Sequence, residues 1–222
     1  MQKSYALFDF DGTLIRGDSI ITFCFYAVKK RLCSPLHLLK AAALGALYMG
    51  HVITAERSKQ GSLSFLRGRT REEVDAIAAD FAKTALIPRL YPQGVEEIRM
   101  HQQAGREVWL VSASTAFYLE PVRQHLKLSG LIGTRMHVDE NGVYSGLIDG
   151  HNCRGVEKTL RIAEVLAATD CMVDYADSYA YGDTAGDIPM MTLCQHKIAV
   201  NPRKKLQKGL QGADGVRKVS WG

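Results

Sequence analysis

The sequence predicts an α/β fold in which a doubly wound parallel sheet carries an inserted α-helical segment. Three observations support this fold class. Short apolar runs typical of buried strands alternate with helical patterns over most of the chain. Residues 18 to 86 interrupt the alternation with helical patterns alone. Polar side chains directly follow several predicted strands, which is typical of parallel sheets that bind ligands at the carboxyl ends of their strands.

Each element of the N-terminal part has a local pattern that predicts it. Tyr5-Ala6-Leu7 opens the chain as a buried strand, and Asp18 or Ser19 can cap the helix that follows. Thr70 and Glu73 have the spacing of a capping box at the start of another helix. The predicted helices of this part are residues 20–30, about 35–48, roughly 54–66 and the segment after Thr70.

The remaining elements alternate between helix and strand. An apolar run at residues 108–111 predicts a buried strand that ends at Ser112, and Asn141-Gly142 predicts a hairpin turn. The other predicted elements are helices at about 94–103, 116–128 and 156–168, a strand at about 178–181, and a last strand near 197–200.

Composition limits the class of protein. The 222 residues are 46% hydrophobic and 23% charged, as in globular chains, and could form one domain with an insertion or two small domains. The net charge of +5 is scattered, and its densest cluster, Arg203 to Lys205 with Lys208, lacks interleaved aromatic residues. We therefore expect no nucleic-acid partner, whereas a basic balance suits an anionic substrate.

Cysteine usage and hydropathy indicate the compartment. The five cysteines are odd in number and include no Cys-x-x-Cys pair, which is typical of reduced thiols. No signal peptide is recognisable at the N-terminus, and the longest apolar stretch, Leu36 to Gly50, contains Lys40 and is too short to span a bilayer. We expect a cytoplasmic protein without an integral membrane span.

Two carboxylates directly after the first strand are the first candidate site residues. Asp9 and Asp11 are two positions apart in an extended segment, so they point to the same side, and Gly12 allows a sharp turn behind them. Two ionised carboxylates repel each other unless a cation lies between them or one keeps a proton. A surface turn is the alternative interpretation of this string.

Further polar groups follow later strands and are expected at the same edge of the sheet. They are Ser112, Lys158, and the pair Asp183 and Asp187. A carboxylate nucleophile, a hydroxyl donor, a cation and an acidic pair are the groups that phosphoryl transfer requires, and oxygen ligands of this kind suit Mg²⁺. Alternatively, Lys158 could be an exposed helical residue, Ser112 could begin a turn, and Asp187 could interact with a helix N-terminus.

In this order and spacing, the motifs Asp9-x-Asp11-Gly-Thr, Ser112, Lys158 and Gly182-Asp183-Thr-Ala-Gly-Asp187 resemble the haloacid dehalogenase (HAD) superfamily. The resemblance covers nearly the whole chain and is greatest for the branch that includes phosphoserine phosphatase. It implies a Rossmann-like core of residues 1–15 and 89–222 and a helical cap of residues 16–88. We call residues 16–88 the helical insertion.

The resemblance also implies a role for each motif residue in a magnesium-dependent phosphatase. Asp9 would be the nucleophile that forms an aspartyl-phosphate, and Asp11 would be the general acid and base. Asp183 would bind the metal with Asp9 and the backbone carbonyl of Asp11, and Asp187 would support it. Thr13, Ser112, Ala113 and Lys158 would bind the phosphoryl group.

The substrate is expected to be a small phosphorylated compound selected by the helical insertion. Asp18 occupies the position at which phosphoserine phosphatases contact the substrate amine. Three departures disfavour phosphoserine: Ser62 replaces an arginine, Ala113 a glycine and Gly186 an asparagine. The apolar stretch at residues 36–49 predicts a core or subunit contact, or alternatively a groove for a lipid-like phosphomonoester.

Two other functions remain compatible with the sequence. A phosphotransferase or phosphomutase would use the same intermediate on Asp9 but transfer the phosphoryl group to an alcohol. A phosphate-binding regulatory protein would keep the fold without turnover. No pattern in the sequence indicates a particular oligomeric state.

Overall fold

The computed structural model describes residues 2–169 and 171–222. The strands are β1 (Gln2–Lys3), β2 (Tyr5–Phe8), β3 (Glu107–Thr115), β4 (Gly130–Val138), β5 (Tyr144–Asp149), β6 (Met172–Val173), β7 (Tyr179–Gly182), β8 (His196–Val200) and β9 (Val216–Val219). Seven of them form one sheet in the order β5-β4-β3-β2-β7-β8-β9, and β1 pairs with β6. Every neighbouring pair of the main sheet is parallel except β4 with β5. The predicted α/β class with a mostly parallel sheet is confirmed.

Helices connect these strands and also fill the segment between β2 and β3. They are α1 (Ser19–Lys29), α2 (Leu36–Met49), α3 (Ala55–Ser62), α4 (Arg71–Phe81), α5 (Pro92–Gln103), α6 (Ala116–His125), α7 (Val156–Ala167), α8 (Ile188–Leu193) and α9 (Lys204–Gly209). Short 3-10 and π turns occupy Ser64–Leu66, Ala82–Leu86, Ile87–Arg89 and Ala185–Asp187.

The central strand β2 is buried on both faces of the sheet. Ala6 and Phe8 pack into a core shared with the helical insertion, whereas Tyr5 and Leu7 pack on the opposite face against α7 and α8. This arrangement follows from the alternation of side chains along a strand, combined with a continuously apolar sequence. It places the residues that follow Phe8 at the carboxyl edge of the sheet.

Local signals account for the helix starts in the insertion. The Asp18 side chain accepts hydrogen bonds from the backbone N–H groups of Ile20 and Ile21, and Thr70 and Glu73 form the predicted capping box. The 18–86 segment contains no strand among the described residues, as predicted. Its own core includes Phe23 from α1 and Phe81 from α4, whose ring centroids are 4.8 Å apart.

Helix α2 does not form a core, which is one of the roles predicted for its apolar sequence; the predicted subunit contact and substrate groove stay predictions. None of its side chains is fully buried, although Leu44 packs close to Gly61 of α3. Leu36, Leu39 and Leu47 are exposed. The opposite side of α2 faces a cavity described below, so this helix forms a wall rather than a core.

Three strand predictions were incomplete or wrong. Strand β3 does not end at Ser112 but continues to Thr115, which pairs with Thr134 of β4. Strand β4 begins at Gly130, before the predicted hairpin. The segment at 197–200 is not the last strand, because β9 follows it. Polar residues conceal the extension of β3 in the sequence. The sequence of β9 is Val-Arg-Lys-Val, and such charged residues are common in edge strands but predict a strand only weakly.

No helix in the described part of the chain combines the length and apolar character needed to cross a bilayer. All five cysteines carry free thiols.

Candidate active site

The candidate site lies at the carboxyl edge of the sheet, where β2 and β7 end beside β3, which continues past them to Thr115. Asp9 follows β2 and is fixed to the neighbouring strand by its backbone N–H, which donates to the carbonyl of Tyr181 at 3.0 Å. Ser112 lies in β3, and Asp183 directly follows β7. All three side chains are buried and line one cavity of about 690 Å³.

Lys158 is the buried cation of the site. It lies in the first turn of α7, is 1% exposed, and donates from Nζ to Asp9 Oδ1 and to Asp187 Oδ1, each at 2.7 Å. Burial alone would lower the pKa of Lys158, but the charges of Asp187 and Asp9 outweigh it and raise this pKa above its ordinary value. Lys158 is therefore not an exposed helical residue but a permanent positive charge between two carboxylates.

Asp187 is stabilised as a carboxylate. It also accepts hydrogen bonds from the Thr184 backbone N–H at 3.0 Å and from the Thr184 hydroxyl at 2.9 Å. Burial acts to raise its pKa, but Lys158 and the Thr184 donors outweigh burial and lower this pKa. A Cβ at Gly182 would lie 2.5 Å from the Asp187 Cβ, so this close approach requires glycine.

Three carboxylates form a cluster that fits a divalent cation. Asp9, Asp183 and Asp187 each offer an oxygen within 4.8 Å of the others. Within the described chain, Asp183 Oδ1 is buried without a hydrogen-bond partner, and burial with the charges of Asp9 and Asp187 raises the pKa of Asp183 to about 7. A cation would supply the missing partner, and an all-oxygen donor set suits Mg²⁺.

The cluster contains the two predicted metal ligands, Asp9 and Asp183, together with the Asp187 carboxylate, and their role as ligands stays a prediction. The predicted contribution of the Asp11 backbone carbonyl stays a prediction. Gly12 allows Asp183 to approach, because a Cβ at this position, where φ is +79°, would lie 2.3 Å from Asp183 Oδ2.

Asp11 lines the same cavity but has a different set of partners. Its carboxylate accepts from the Ser19 backbone N–H at 2.7 Å, from the Ser19 hydroxyl at 3.0 Å and from the Ser114 hydroxyl. The Tyr118 hydroxyl lies 3.0 Å from the Ser19 hydroxyl. Burial, the charge of Asp18 and the charge of Asp9 raise the pKa of Asp11 to about 7. The two aspartates therefore differ, since a lysine contacts Asp9 and neutral donors contact Asp11.

The remaining predicted residues lie around this centre. Ser112 Oγ accepts from the Ser114 backbone N–H at 3.1 Å, and Thr13 Oγ1 lies 3.5 Å from Asp9 Oδ2. Ala113 and Asp18 line the cavity, although Asp18 also caps α1. The structure thus brings together all nine residues that the sequence selected, including Thr13 through its contact with Asp9.

Sequence reasoning missed several groups at the site. One of these groups is Ser114, which lies two positions after Ser112 in an extended strand and therefore shares a face with Ser112. This spacing is the signal in the sequence that could have identified it. Ser19 and Tyr118 contact the Asp11 network only through tertiary packing. Lys59 of α3 donates to the Ala113 carbonyl, Asn152 and Thr134, and burial lowers its pKa to about 8.

The helical insertion forms the wall of the cavity that faces the carboxylates. Helix α1 contributes Ile20, Ile21, Cys24 and Phe25, and α2 contributes Leu38, Ala41, Ala42, Gly45, Ala46, Tyr48 and Met49. Lys59 and Ser62 of α3 lie in the same wall. The cavity is therefore acidic at the sheet edge and largely apolar opposite it.

Comparison with known proteins identifies the family of this chain. A model of the haloacid dehalogenase-like hydrolases matches residues 6–192, most of the chain, and the protein therefore belongs to this family. A histidinol-phosphatase of Neisseria meningitidis is 27% identical over 208 residues, which are 93% of this chain and 94% of the relative. Family and relative together identify the protein as a hydrolase of the phosphatase type.

Solved structures support the fold. A protein of unknown function from Bordetella pertussis is 27% identical, with a TM-score of 0.88 over 99% of both chains. A phosphoserine phosphatase that contains an analogue of a phospho-aspartyl intermediate has a TM-score of 0.62 at 21% identity, over 99% of this chain and 94% of that one. At this identity, the second likeness shows the shared fold alone.

Proposed function

We propose that this protein is a magnesium-dependent phosphomonoester phosphatase that forms an aspartyl-phosphate on Asp9. Residues 1–15 and 89–222 form the catalytic core, and the helical insertion of residues 16–88 is the cap that selects the substrate. The observation that carries the proposal is the arrangement of Asp9 and Asp11, since Lys158 contacts the first and hydroxyl groups surround the second in one cavity.

Asp9 is suited to be the nucleophile. Its Oδ1 is held by Lys158, whereas Oδ2 has the 3.5 Å contact with the Thr13 hydroxyl. A carboxylate needs no base to remove a proton before it attacks phosphorus. In the first step an Asp9 oxygen forms a bond to phosphorus, and the bond from phosphorus to the ester oxygen breaks.

Asp11 is suited to move the proton. Its pKa of about 7 allows a protonated carboxyl group to give its proton to the departing ester oxygen. The resulting Asp11 carboxylate then removes a proton from water as the water oxygen attacks phosphorus. This second step releases inorganic phosphate and restores the Asp9 carboxylate and the Asp11 carboxyl group.

The phosphoryl group is bound by donors and by positive charge. We assign this binding to Ser112, Ala113 and Lys158, which line the cavity with Asp9, and to Thr13, whose Oγ1 lies 3.5 Å from Asp9 Oδ2. Asp9 and Asp183 would hold Mg²⁺, with Asp11 through its carbonyl and with Asp187 supporting. When bound, the cation would neutralise charge on the phosphoryl oxygens. Lys158 holds Asp9 in place during both steps, because the Lys158 ammonium is itself fixed by its second hydrogen bond, to Asp187.

The cap determines which leaving group fits. Asp18 is available at the cavity wall for a cationic group, and α1 and α2 present apolar side chains to the organic part of the substrate. A histidinol-phosphatase among the relatives supports a small polar phosphomonoester. Phosphoserine remains a disfavoured substrate, because Ser62, Ala113 and Gly186 depart from the residues that phosphoserine phosphatases have at these positions. A lipid-like phosphomonoester is an untested prediction.

Phosphate release over a substrate panel tests the proposal. The panel contains phosphoserine, histidinol phosphate, sugar phosphates, a nucleotide and a short-chain lipid phosphate, each with Mg²⁺ and with a chelator. We expect release only with Mg²⁺ and none from Asp9→Asn, because an amide cannot form the intermediate. Full activity of Asp9→Asn would refute the mechanism. A phosphorylated alcohol in place of free phosphate would identify a phosphotransferase, and binding without turnover a regulatory protein.

A further inference from the structure

Four basic side chains line the cavity, and they differ in how far they are already neutralised. Lys158 contacts two carboxylates, and Arg203 Nε lies 3.2 Å from Asp183 Oδ2. Among the residues that the structure describes, Lys59 and Arg154 have no carboxylate within 4.0 Å. Neither cation is therefore in a direct ion pair, although the charges of Asp11 and Asp18 act on Lys59 from a greater distance.

Lys59 and Arg154 differ in their free donors. The three N–H groups of the Lys59 ammonium match three neutral acceptors, the Ala113 carbonyl, Asn152 and Thr134. The Arg154 guanidinium has five N–H groups, and its side chain makes one hydrogen bond within the described chain, from Nη1 to the Tyr48 hydroxyl. Arg154 is also exposed, so it is the cation that is free to bind a ligand.

Gly186 makes room for the Arg154 side chain. A Cβ built on Gly186 would lie 3.2 Å from Arg154 Nε and 3.4 Å from its Cγ. Gly186 follows Asp183 in the acidic motif, and its backbone does not have the positive φ that would require glycine. A Cβ at this position would displace Arg154 by a few tenths of an ångström, and a longer side chain such as asparagine would compete with Arg154 for this space.

Tyr48 fixes the other end of Arg154. Arg154 lies in the loop before α7, four positions ahead of Lys158, and Tyr48 lies on α2 of the helical insertion. Their hydrogen bond crosses the cavity from the sheet side to the insertion side. The guanidinium is thus held where the organic part of a substrate would lie.

We propose that Arg154 is a specificity-determining residue, which Gly186 admits to the cavity, and that it binds an anionic group on the organic part of the substrate. This inference rests on the proposed phosphatase function and deepens it, because it selects phosphomonoesters with a second negative charge, such as a carboxylate. An arginine fits a carboxylate with two parallel N–H donors, which a neutral amide cannot match.

Two aryl phosphates that differ in one charge test this role. The probes are 4-carboxyphenyl phosphate and 4-carbamoylphenyl phosphate, which have nearly the same size. We expect the KM of the wild-type protein to be about tenfold lower for the carboxylate, because charge-assisted hydrogen bonds are stronger than neutral ones. Arg154→Gln and Gly186→Asn should each reduce this KM ratio to near one. Arg57→Gln, which removes an exposed arginine of α3 that does not line the cavity, should keep the ratio.

The outcomes separate the inference from the function on which it rests. Equal KM values for both probes in the wild-type protein, or an unchanged ratio in Arg154→Gln, would refute the role of Arg154 and leave the phosphatase intact. Failure to hydrolyse either probe would count against the phosphatase. Calorimetric binding of both probes to Asp9→Asn gives a second measurement without turnover, in which the same preference for the carboxylate is expected and its absence would again refute the role of Arg154.

Discussion

The same change from aspartate to asparagine should have opposite effects on stability at the two carboxylates that share Lys158. In the metal-free protein, burial and the charge of Asp187 raise the pKa of Asp9 from 3.8 to about 6, so its ionised form opposes folding at neutral pH. The Asp187 pKa is lowered, so its ionised form stabilises the fold. We therefore expect Asp9→Asn to stabilise the metal-free protein and Asp187→Asn to destabilise it.

The magnitude for Asp9 follows from its pKa. Each pKa unit corresponds to about 1.4 kcal/mol, so a shift from 3.8 to about 6 gives at most about 3 kcal/mol. The pKa is raised in the fold, so the unfavourable contribution is absent below pH 3.8, grows as pH rises, and is complete above about pH 6. Lys158 keeps Asp187 as a partner in Asp9→Asn, so no buried cation is left unpaired. We expect a gain of about 1–3 kcal/mol at pH 7.5.

Asp187→Asn removes more hydrogen bonds from the site than Asp9→Asn does. Its carboxylate accepts from Lys158 at 2.7 Å and from two donors of Thr184. An amide can accept through one oxygen only, and hydrogen bonds to charged groups contribute about 1.5–3 kcal/mol each. We expect a net loss of about 2–4 kcal/mol, which is smaller than the sum because Asn keeps part of the network.

Denaturant unfolding with a chelator, at pH 7.5 and again near pH 4.5, measures both changes. The gain of Asp9→Asn should shrink at the lower pH, because Asp9 is then mostly protonated in the folded wild-type protein. A loss of stability in Asp9→Asn at pH 7.5, or shifts of the same sign in both variants, would refute the electrostatic account of the site.

Three further outcomes are expected. Mg²⁺ should raise the melting temperature of the wild-type protein in a thermal scan. Asp183→Asn should lose most of this increase, because it removes a carboxylate from the cluster. An equal increase in both proteins would argue against a metal at these residues. Ser114→Ala should lower kcat by about tenfold or more with little change in KM, because the Ser114 hydroxyl orients the Asp11 carboxylate. The acidic and basic limits of the pH profile of kcat should also move in this variant. An unchanged pH profile would contradict this role of Ser114. His101 is 4% exposed, its Nε2 lies 2.8 Å from the Tyr181 hydroxyl, and burial lowers its pKa to about 4. This histidine should therefore contribute a loss of about 3 kcal/mol as pH falls from 6.5 to about 4, measured as the difference in unfolding free energy between the wild-type protein and His101→Gln across this range.

The local elements could be predicted because their causes are local. Thr70 and Glu73 form the expected capping box, and Tyr5 to Phe8 form the expected buried strand. Neighbouring parallel strands have their carboxyl ends at one edge, so the predicted positions of Asp9, Ser112 and Asp183 after strands were enough to predict a common site, although β3 continues past Ser112. Strand β9 was missed because two charged residues conceal its pairing with β8.

The tertiary structure decided how the site residues are paired. Lys158 lies 149 positions from Asp9, and Ser114 lies 103 positions from Asp11, so neither contact leaves a pattern in the sequence between them. Likewise, the sequence gives no reason for a glycine at position 186, whereas the structure shows that the Arg154 side chain packs beside it.

The sequence by itself determined the family, the parallel sheet and the nine residues that meet at its edge, because motif order and strand ends are written along the chain. Only the tertiary structure decided that Asp9 is paired with a cation while Asp11 lies among hydroxyl groups, and that α2 forms a cavity wall rather than a core. The physical reason is that pKa values, charge compensation and burial depend on which distant groups pack within a few ångströms of one another.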